Sequence, residues 1–173
     1  SPAVSQAKAV AVAGSDVYAA GSLRSGLGKQ LAVVWKNDKA HFTLSDGQTD
    51  AGATALCLDG RTLYTAGYAG TQAVVWKDGS VLYTLTDGSS SAQATAVCRS
   101  GSALYAAGYV IDGFENEGVV WKNGRELYDL SDGSGEGSMP YAIAVYGDDV
   151  FSAGTLFGTS RTAAVWHGEK ILH

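Results

Sequence analysis

Ala73-Val74-Val75-Trp76-Lys77-Asp78-Gly79 is an apolar run that ends in a turn, and the chain repeats it. Close copies are Ala32-Val33-Val34-Trp35-Lys36-Asn37-Asp38, Gly118-Val119-Val120-Trp121-Lys122-Asn123-Gly124 and Ala163-Ala164-Val165-Trp166-His167-Gly168. The four tryptophans are therefore one position used four times, 41, 45 and 45 residues apart. Three further markers keep step with them. Val17-Tyr18-Ala19-Ala20-Gly21 returns as Leu63-Tyr64-Thr65-Ala66-Gly67, Leu104-Tyr105-Ala106-Ala107-Gly108 and Val150-Phe151-Ser152-Ala153-Gly154, with the closing Ala-Gly unchanged. A small-residue marker precedes it: Ala9-Val10-Ala11, Ala55-Leu56-Cys57, Ala96-Val97-Cys98 and Ala142-Ile143-Ala144. After three of the tryptophans come Leu44-Ser45-Asp46-Gly47, Leu85-Thr86-Asp87-Gly88 and Leu130-Ser131-Asp132-Gly133.

Internal repetition at this period governs the fold. Each unit holds four short segments rich in β-branched and aromatic residues, separated by Gly, Asn-Gly or Asp-Gly turn chemistry. Helical repeats of similar length would need apolar residues three and four apart over ten or more positions, and these segments are too short for that. Four strands, A to D, in a unit of about 44 residues describe a blade of a β-propeller. The expectation is an all-β chain forming a single propeller domain over residues 1–173, with four four-stranded antiparallel blades near 7–47, 53–88, 94–133 and 140–173.

The repeat columns suit wedge-shaped blades. Ala9, Ala55, Ala96 and Ala142 keep the innermost strand narrow, while Trp35, Trp76, Trp121 and Trp166 fill the wider gap between blades farther out. Burying such a ring is worth roughly 1.5–3 kcal/mol. A ligand-stacking row is the other reading of the tryptophans, but each follows two apolar residues within a strand. Residues before Ala7 read as the loop entering the first blade, and Ile171-Leu172-His173 matches Val81-Leu82-Tyr83. All four blades are then built from consecutive strands, without the shared blade that latches many propellers. Closure of one chain as a four-bladed ring is expected over two chains joined as half-rings into eight blades.

The pattern Trp-Lys-Asn-Gly, Leu-Ser/Thr-Asp-Gly, Ala-x-Ala-hydrophobic and Val-Tyr-x-Ala-Gly resembles the repeat of bacterial secreted or surface β-propeller proteins. The resemblance covers the whole chain. It implies a propeller whose innermost strand is segment A and an extracellular, periplasmic or cell-surface home, and it implies no catalytic residues, because the shared positions are structural.

Composition bounds the function. With 46% hydrophobic and 17% charged residues the chain can bury a real core, and no apolar run approaches the roughly 20 residues of a membrane helix. A formal charge of −5, with 12 basic residues scattered singly, argues against nucleic acid. The chain opens at Ser1-Pro2 without methionine, which leaves a removed leader open. Cys57 and Cys98 share one column, and packed sheets lie roughly 10 Å apart, beyond the reach of a disulfide; both read as small buried thiols.

Length variation locates the candidate site. From the Gly21-type glycine to the tryptophan the chain takes 14, 9, 13 and 12 residues, so the B-to-C loops vary: Ser22 to Gln30, Tyr68 to Gln72, Tyr109 to Glu117 and Thr155 to Thr162. They share a face with the D-to-A turns, and such a face commonly binds. Arg24, Asp112, Phe114, Glu115, Glu117 and Phe157 are the candidates for a protein or glycan ligand there. Asp46, Asp87 and Asp132, with Asp50 and Glu136, could ring a hard cation, but an aspartate before glycine more simply accepts backbone N–H groups in its own turn. No cofactor is implied, and no Gly-x-Ser-x-Gly, paired metal-ligand histidines or phosphate-cradling loop is present. A non-catalytic binding or interaction module is the expected function. The alternatives are an enzyme of dispersed carboxylates, such as a glycosidase, and a purely structural assembly element.

Overall fold

The computed structural model describes residues 4–24, 28–131 and 137–172. These residues form sixteen strands in four sheets, each a run of four consecutive antiparallel strands. Sheet one holds β1 (Val4–Ala13), β2 (Asp16–Arg24), β3 (Leu31–Lys36) and β4 (Lys39–Thr43). Sheet two holds β5 (Ala51–Asp59), β6 (Thr62–Ala69), β7 (Gln72–Lys77) and β8 (Ser80–Thr84). Sheet three holds β9 (Ala92–Ser100), β10 (Ala103–Asp112), β11 (Glu115–Lys122) and β12 (Arg125–Asp129). Sheet four holds β13 (Gly137–Tyr146), β14 (Asp149–Phe157), β15 (Arg161–His167) and β16 (Lys170–Ile171). Among the described residues there is no helix, and none long and apolar enough to cross a membrane. Residues 4–6, expected as an entry loop, are strand: Val4, Ser5 and Gln6 pair with Arg24, Leu23 and Ser22.

The turns explain the repeated Asn/Asp-Gly. Asn37, Asp78 and Asn123 have φ of 48, 47 and 52°, and the residues after them, Asp38, Gly79 and Gly124, are also positive at 67, 87 and 80°. Two successive left-handed residues make the tight hairpin turn whose twist matches the strands, and Asn, Asp and Gly tolerate it best. The side chain adds a second use. Val17, Leu63 and Leu104 donate their N–H groups to Asn37 Oδ1, Asp78 Oδ1 and Asn123 Oδ1, each at 2.9 Å, tying the third-to-fourth strand turn to the start of the second strand. Gly168 holds this place in sheet four with only the backbone bond, from its N–H to Val150 O at 2.9 Å.

The unchanging glycine of the second strand has a steric cause. Register shifts between Ala7 and Ala9, Ala53 and Ala55, and Pro140 and Ala142, and opposite Ala107 and Gly108, place a bulge in each first strand. The bulge drives a carbonyl into the neighbouring strand: a Cβ on Gly21, Gly67, Gly108 or Gly154 would overlap the oxygen of Gln6, Gly52, Gln93 or Met139. In sheets two and three the bulged residue is a threonine that reaches the next sheet. Thr54 Oγ1 lies 2.5 Å from Ala94 O and Thr95 Oγ1 lies 2.6 Å from Pro140 O, against 3.0 and 3.1 Å to carbonyls of their own sheets. A hydroxyl has one hydrogen to donate, so the shorter distance assigns it to the neighbouring sheet.

The sheets pack face to face in chain order. Between sheets one and two lie Ala20, Ala32, Val34, Leu44, Leu63, Val74 and Trp76; between two and three, Tyr64, Ala66, Val75, Leu104, Val119 and Trp121; between three and four, Tyr105, Ala107, Val120, Leu130, Val150 and Trp166. Each tryptophan faces the sheet before its own. Among the described residues no sheet precedes the one that carries Trp35, and Trp35 is only half-buried, unlike the other three. The closure of sheet four on sheet one expected of a lone chain is not what is seen: among the described residues, no strand of sheet one packs extensively on a strand of sheet four. Of the first-strand alanines, Ala96 is buried, Ala9 and Ala55 are half-buried, and Ala142, in the last of the four described sheets, is exposed.

Candidate functional site

The connections between second and third strands leave one end of every sheet. In sheet three, the stretch from Tyr109 to Glu117 expected as a loop is mostly strand. Val110, Ile111 and Asp112 pair with Glu117, Asn116 and Glu115, leaving Gly113 and Phe114 as a two-residue turn with Gly113 at φ 59°. The alternation of side chains in a strand then sets Asp112, Glu115 and Glu117 on one face of the hairpin and Ile111 and Asn116 on the other. Burial pushes the Glu117 carboxyl above the usual carboxylate range, and the charges of Asp112, Asp129, Glu115 and Glu126 push the same way. Phe114 at the tip is fully exposed.

Across from this hairpin stands the one of sheet four. Phe157 pairs with Arg161, whose guanidinium lies 5.2 Å from the Phe157 ring centre. The connection is short, with Gly158 N–H donating to Ser160 O at 3.1 Å. Between the two hairpins runs a groove of about 500 Å³ lined by Phe114, Glu115, Asn116, Gly137, Phe157, Gly158 and Thr159. Gly137 is where the backbones come closest: a Cβ there would sit 3.1 Å from the backbone N and O of Asn116. The groove thus offers two aromatic edges, a carboxylate and backbone polar groups, with a cation stacked behind one aromatic. Neither histidine nor cysteine lines it.

Of the sequence candidates, Phe114, Glu115 and Phe157 meet in this groove, with Asp112 and Glu117 on the same hairpin. Arg24 does not join them. It lines a separate groove on sheet one with Val4, Ser5, Gln6, Ser22 and Gln30, and its guanidinium pairs with Asp50 at 3.2 Å. Asp50 also accepts the Gln30 N–H at 2.7 Å and lies 3.8 Å from Lys29 Nζ. The Gln30 bond first, then the two cations, hold its carboxyl below the ordinary value. That arrangement ties the first connection to the turn leading into sheet two. Asn116, Thr159 and Arg161 lie within the variable stretches expected to form the site without standing out as candidates there, and Gly137 lies outside them, because only strand pairing reveals which residues flank a turn together.

The aspartates considered for a cation are engaged in their own turns. Asp46 Oδ1 accepts Gln48 N–H at 2.9 Å, and Asp87 Oδ1 accepts both the N–H and the hydroxyl of Ser89 at 2.8 and 2.6 Å. The Ser89 hydroxyl, then its N–H, lower the Asp87 carboxyl. Asp132 and Glu136 lie outside the described residues. Among the described residues no group of three or more His, Cys, Asp or Glu is arranged to hold a metal ion.

The remaining reactive side chains sit elsewhere. His167 Nε2 lies 2.7 Å from Asp149 Oδ1 while its ring stacks on Phe151 at 4.7 Å, repeating in sheet four the Lys36–Asp16 pair of sheet one at 2.8 Å. Cys57 and Cys98 are both free thiols. Burial, helped by the neighbouring Cys57, pushes Cys98 up to about 11, which keeps it protonated and a poor nucleophile near neutral pH. No protein-family model matches the chain, and a search of curated proteins found none similar to it.

Proposed function

We propose that the four sheets are consecutive blades of a β-propeller and that the chain is a non-catalytic binding module of the kind carried by bacterial secreted or surface proteins. The observation that carries the binding reading is Phe114: an aromatic ring held fully in solvent at the tip of a two-residue turn, above a groove that also presents Phe157. An exposed aromatic beside a concave, partly apolar surface is the usual anchor of a recognition site. Asp112, Glu115 and Glu117 give the hairpin a negative potential, so the favoured ligand is a peptide or protein loop that presents an apolar residue next to lysine or arginine.

An array of short peptides varying independently in charge and aromatic content tests this, with a glycan array in parallel. Cationic, apolar peptides should bind. Phe114→Ala and Phe157→Ala should abolish binding, while Glu115→Gln with Glu117→Gln should weaken it and flatten its salt dependence. Binding that ignores all four substitutions would place the site elsewhere. Hydrolysis of aryl glycosides lost in Glu117→Gln would instead favour an enzyme of dispersed carboxylates.

A further inference from the structure

We propose that a second copy of this chain completes the row of sheets: sheet one of each copy packs on sheet four of the other, and two copies close into one ring of eight sheets about a two-fold axis. The three internal seams are one interface used three times. The earlier sheet offers a receiving face, Ala20, Ala32 and Val34 in sheet one, Ala66, Ala73 and Val75 in sheet two, Ala107 and Val120 in sheet three. The later sheet inserts its tryptophan and the apolar residue that opens its second strand: Trp76 with Leu63, Trp121 with Leu104, Trp166 with Val150.

Both halves of a fourth such seam are present and uncovered. Sheet four carries the receiving face again as Ala153, Ala163 and Val165, with Val165 36% exposed where Val34, Val75 and Val120 are buried. Sheet one carries the inserting face as Val10, Val12, Val17 and Trp35. Val17 is 44% exposed, whereas Leu63, Leu104 and Val150 in its column are at most 4% exposed. Val10 and Val12 are 67% and 63% exposed. Trp35 borders an open hollow of about 510 Å³ with Ser5, Ala7, Val17, Ala19, Asn37 and Asp38, on the side where the preceding sheet stands at each internal seam.

The bulge position tells the same story. Thr54 and Thr95 reach from it to the next sheet, and Tyr141 occupies it in sheet four, exposed. Asp38 is a departure, standing in the column of Gly79 and Gly124. What identifies the occupant is that each end displays the face the other end lacks. A second copy supplies both at once, and a head-to-tail interface used twice closes into a ring.

Sedimentation velocity over a wide concentration range, on the whole chain, reads the assembly directly. The expected species has twice the 17.8 kDa of one chain. Val17→Asp and Val165→Lys each bury an unpaired charge in the new seam and should weaken association by roughly 100-fold or more. Both residues are exposed in the single chain, so the circular dichroism spectrum should stay unchanged. Combined in one chain, the two substitutions set Asp opposite Lys at both seams and should restore the two-copy species. A single-copy mass at every concentration, an open-ended ladder of masses, or a two-copy species indifferent to both single substitutions would each overturn the proposal.

Discussion

Replacing Trp76 by alanine and by phenylalanine separates two opposing contributions of one side chain. Trp76 is among the largest fully buried residues and lies in the seam between sheets one and two. Its removal to alanine costs the transfer energy of the indole and leaves a cavity, about 3–5 kcal/mol for an aromatic in a core. Its Nε1, however, is buried without a hydrogen-bond partner, as is that of Trp166. An orphaned buried donor carries a penalty of about 1–3 kcal/mol, which phenylalanine removes while keeping part of the ring packing. The net cost of Trp76→Phe should therefore fall within about 1 kcal/mol of zero. Thermal denaturation followed by circular dichroism reads both, since 1 kcal/mol corresponds to roughly 2–4 °C for a chain of this size. Trp76→Ala should lower Tm by roughly 6–20 °C and Trp76→Phe by no more than about 4 °C. A phenylalanine variant as unstable as the alanine one would show that the indole N–H is satisfied and that the reasoning about the orphaned donor is wrong.

The equivalent turn positions Gly79 and Asp38 should respond in opposite directions. Gly79→Ala places a Cβ 2.6 Å from the Phe42 ring at φ 87°, and should lose about 1–2 kcal/mol in urea unfolding, whereas Asp38→Gly relieves a left-handed residue at φ 67° and should gain a few tenths to about 1 kcal/mol. Thr95→Val removes the hydroxyl that lies 2.6 Å from Pro140 O and should destabilise by about 1–3 kcal/mol, read as faster hydrogen exchange along β13. Cys98 has a folded value raised from 9.0 to about 11, so the folded chain holds that proton more tightly than the unfolded one. The stability this gives is complete below about pH 9 and is lost as pH rises toward 11. Cys98→Ala should flatten that part of the curve of Tm against pH, and a curve of unchanged slope would contradict the shift.

The sequence by itself determined the strand count, the order of strands within each unit and the turn chemistry, because these depend on local geometry repeated in register. Asn37, Asp78 and Asn123 announce their turn from composition alone, whereas the fixed Ala-Gly of the second strand shows only that the position does not vary, and its cause, a carbonyl of the bulged first strand, appears with the pairing. Alternating apolar residues likewise identify which positions face a neighbour. Tertiary structure decided what no repeat pattern contains. That Glu115 and Asp112 share a face depends on where pairing in β10 and β11 ends, and loop length marks only a variable stretch, with no sign that strands continue through it. Arg24 takes as its partner Asp50, 26 residues away, a pairing that only the packing of the first connection against the turn into sheet two decides. Trp35 and Trp76 read identically in the sequence, since a column of equivalent residues records what each unit can pack against. Whether a neighbour is present depends on how the packed sheets are placed, which is a sum over many seam contacts that no single residue encodes.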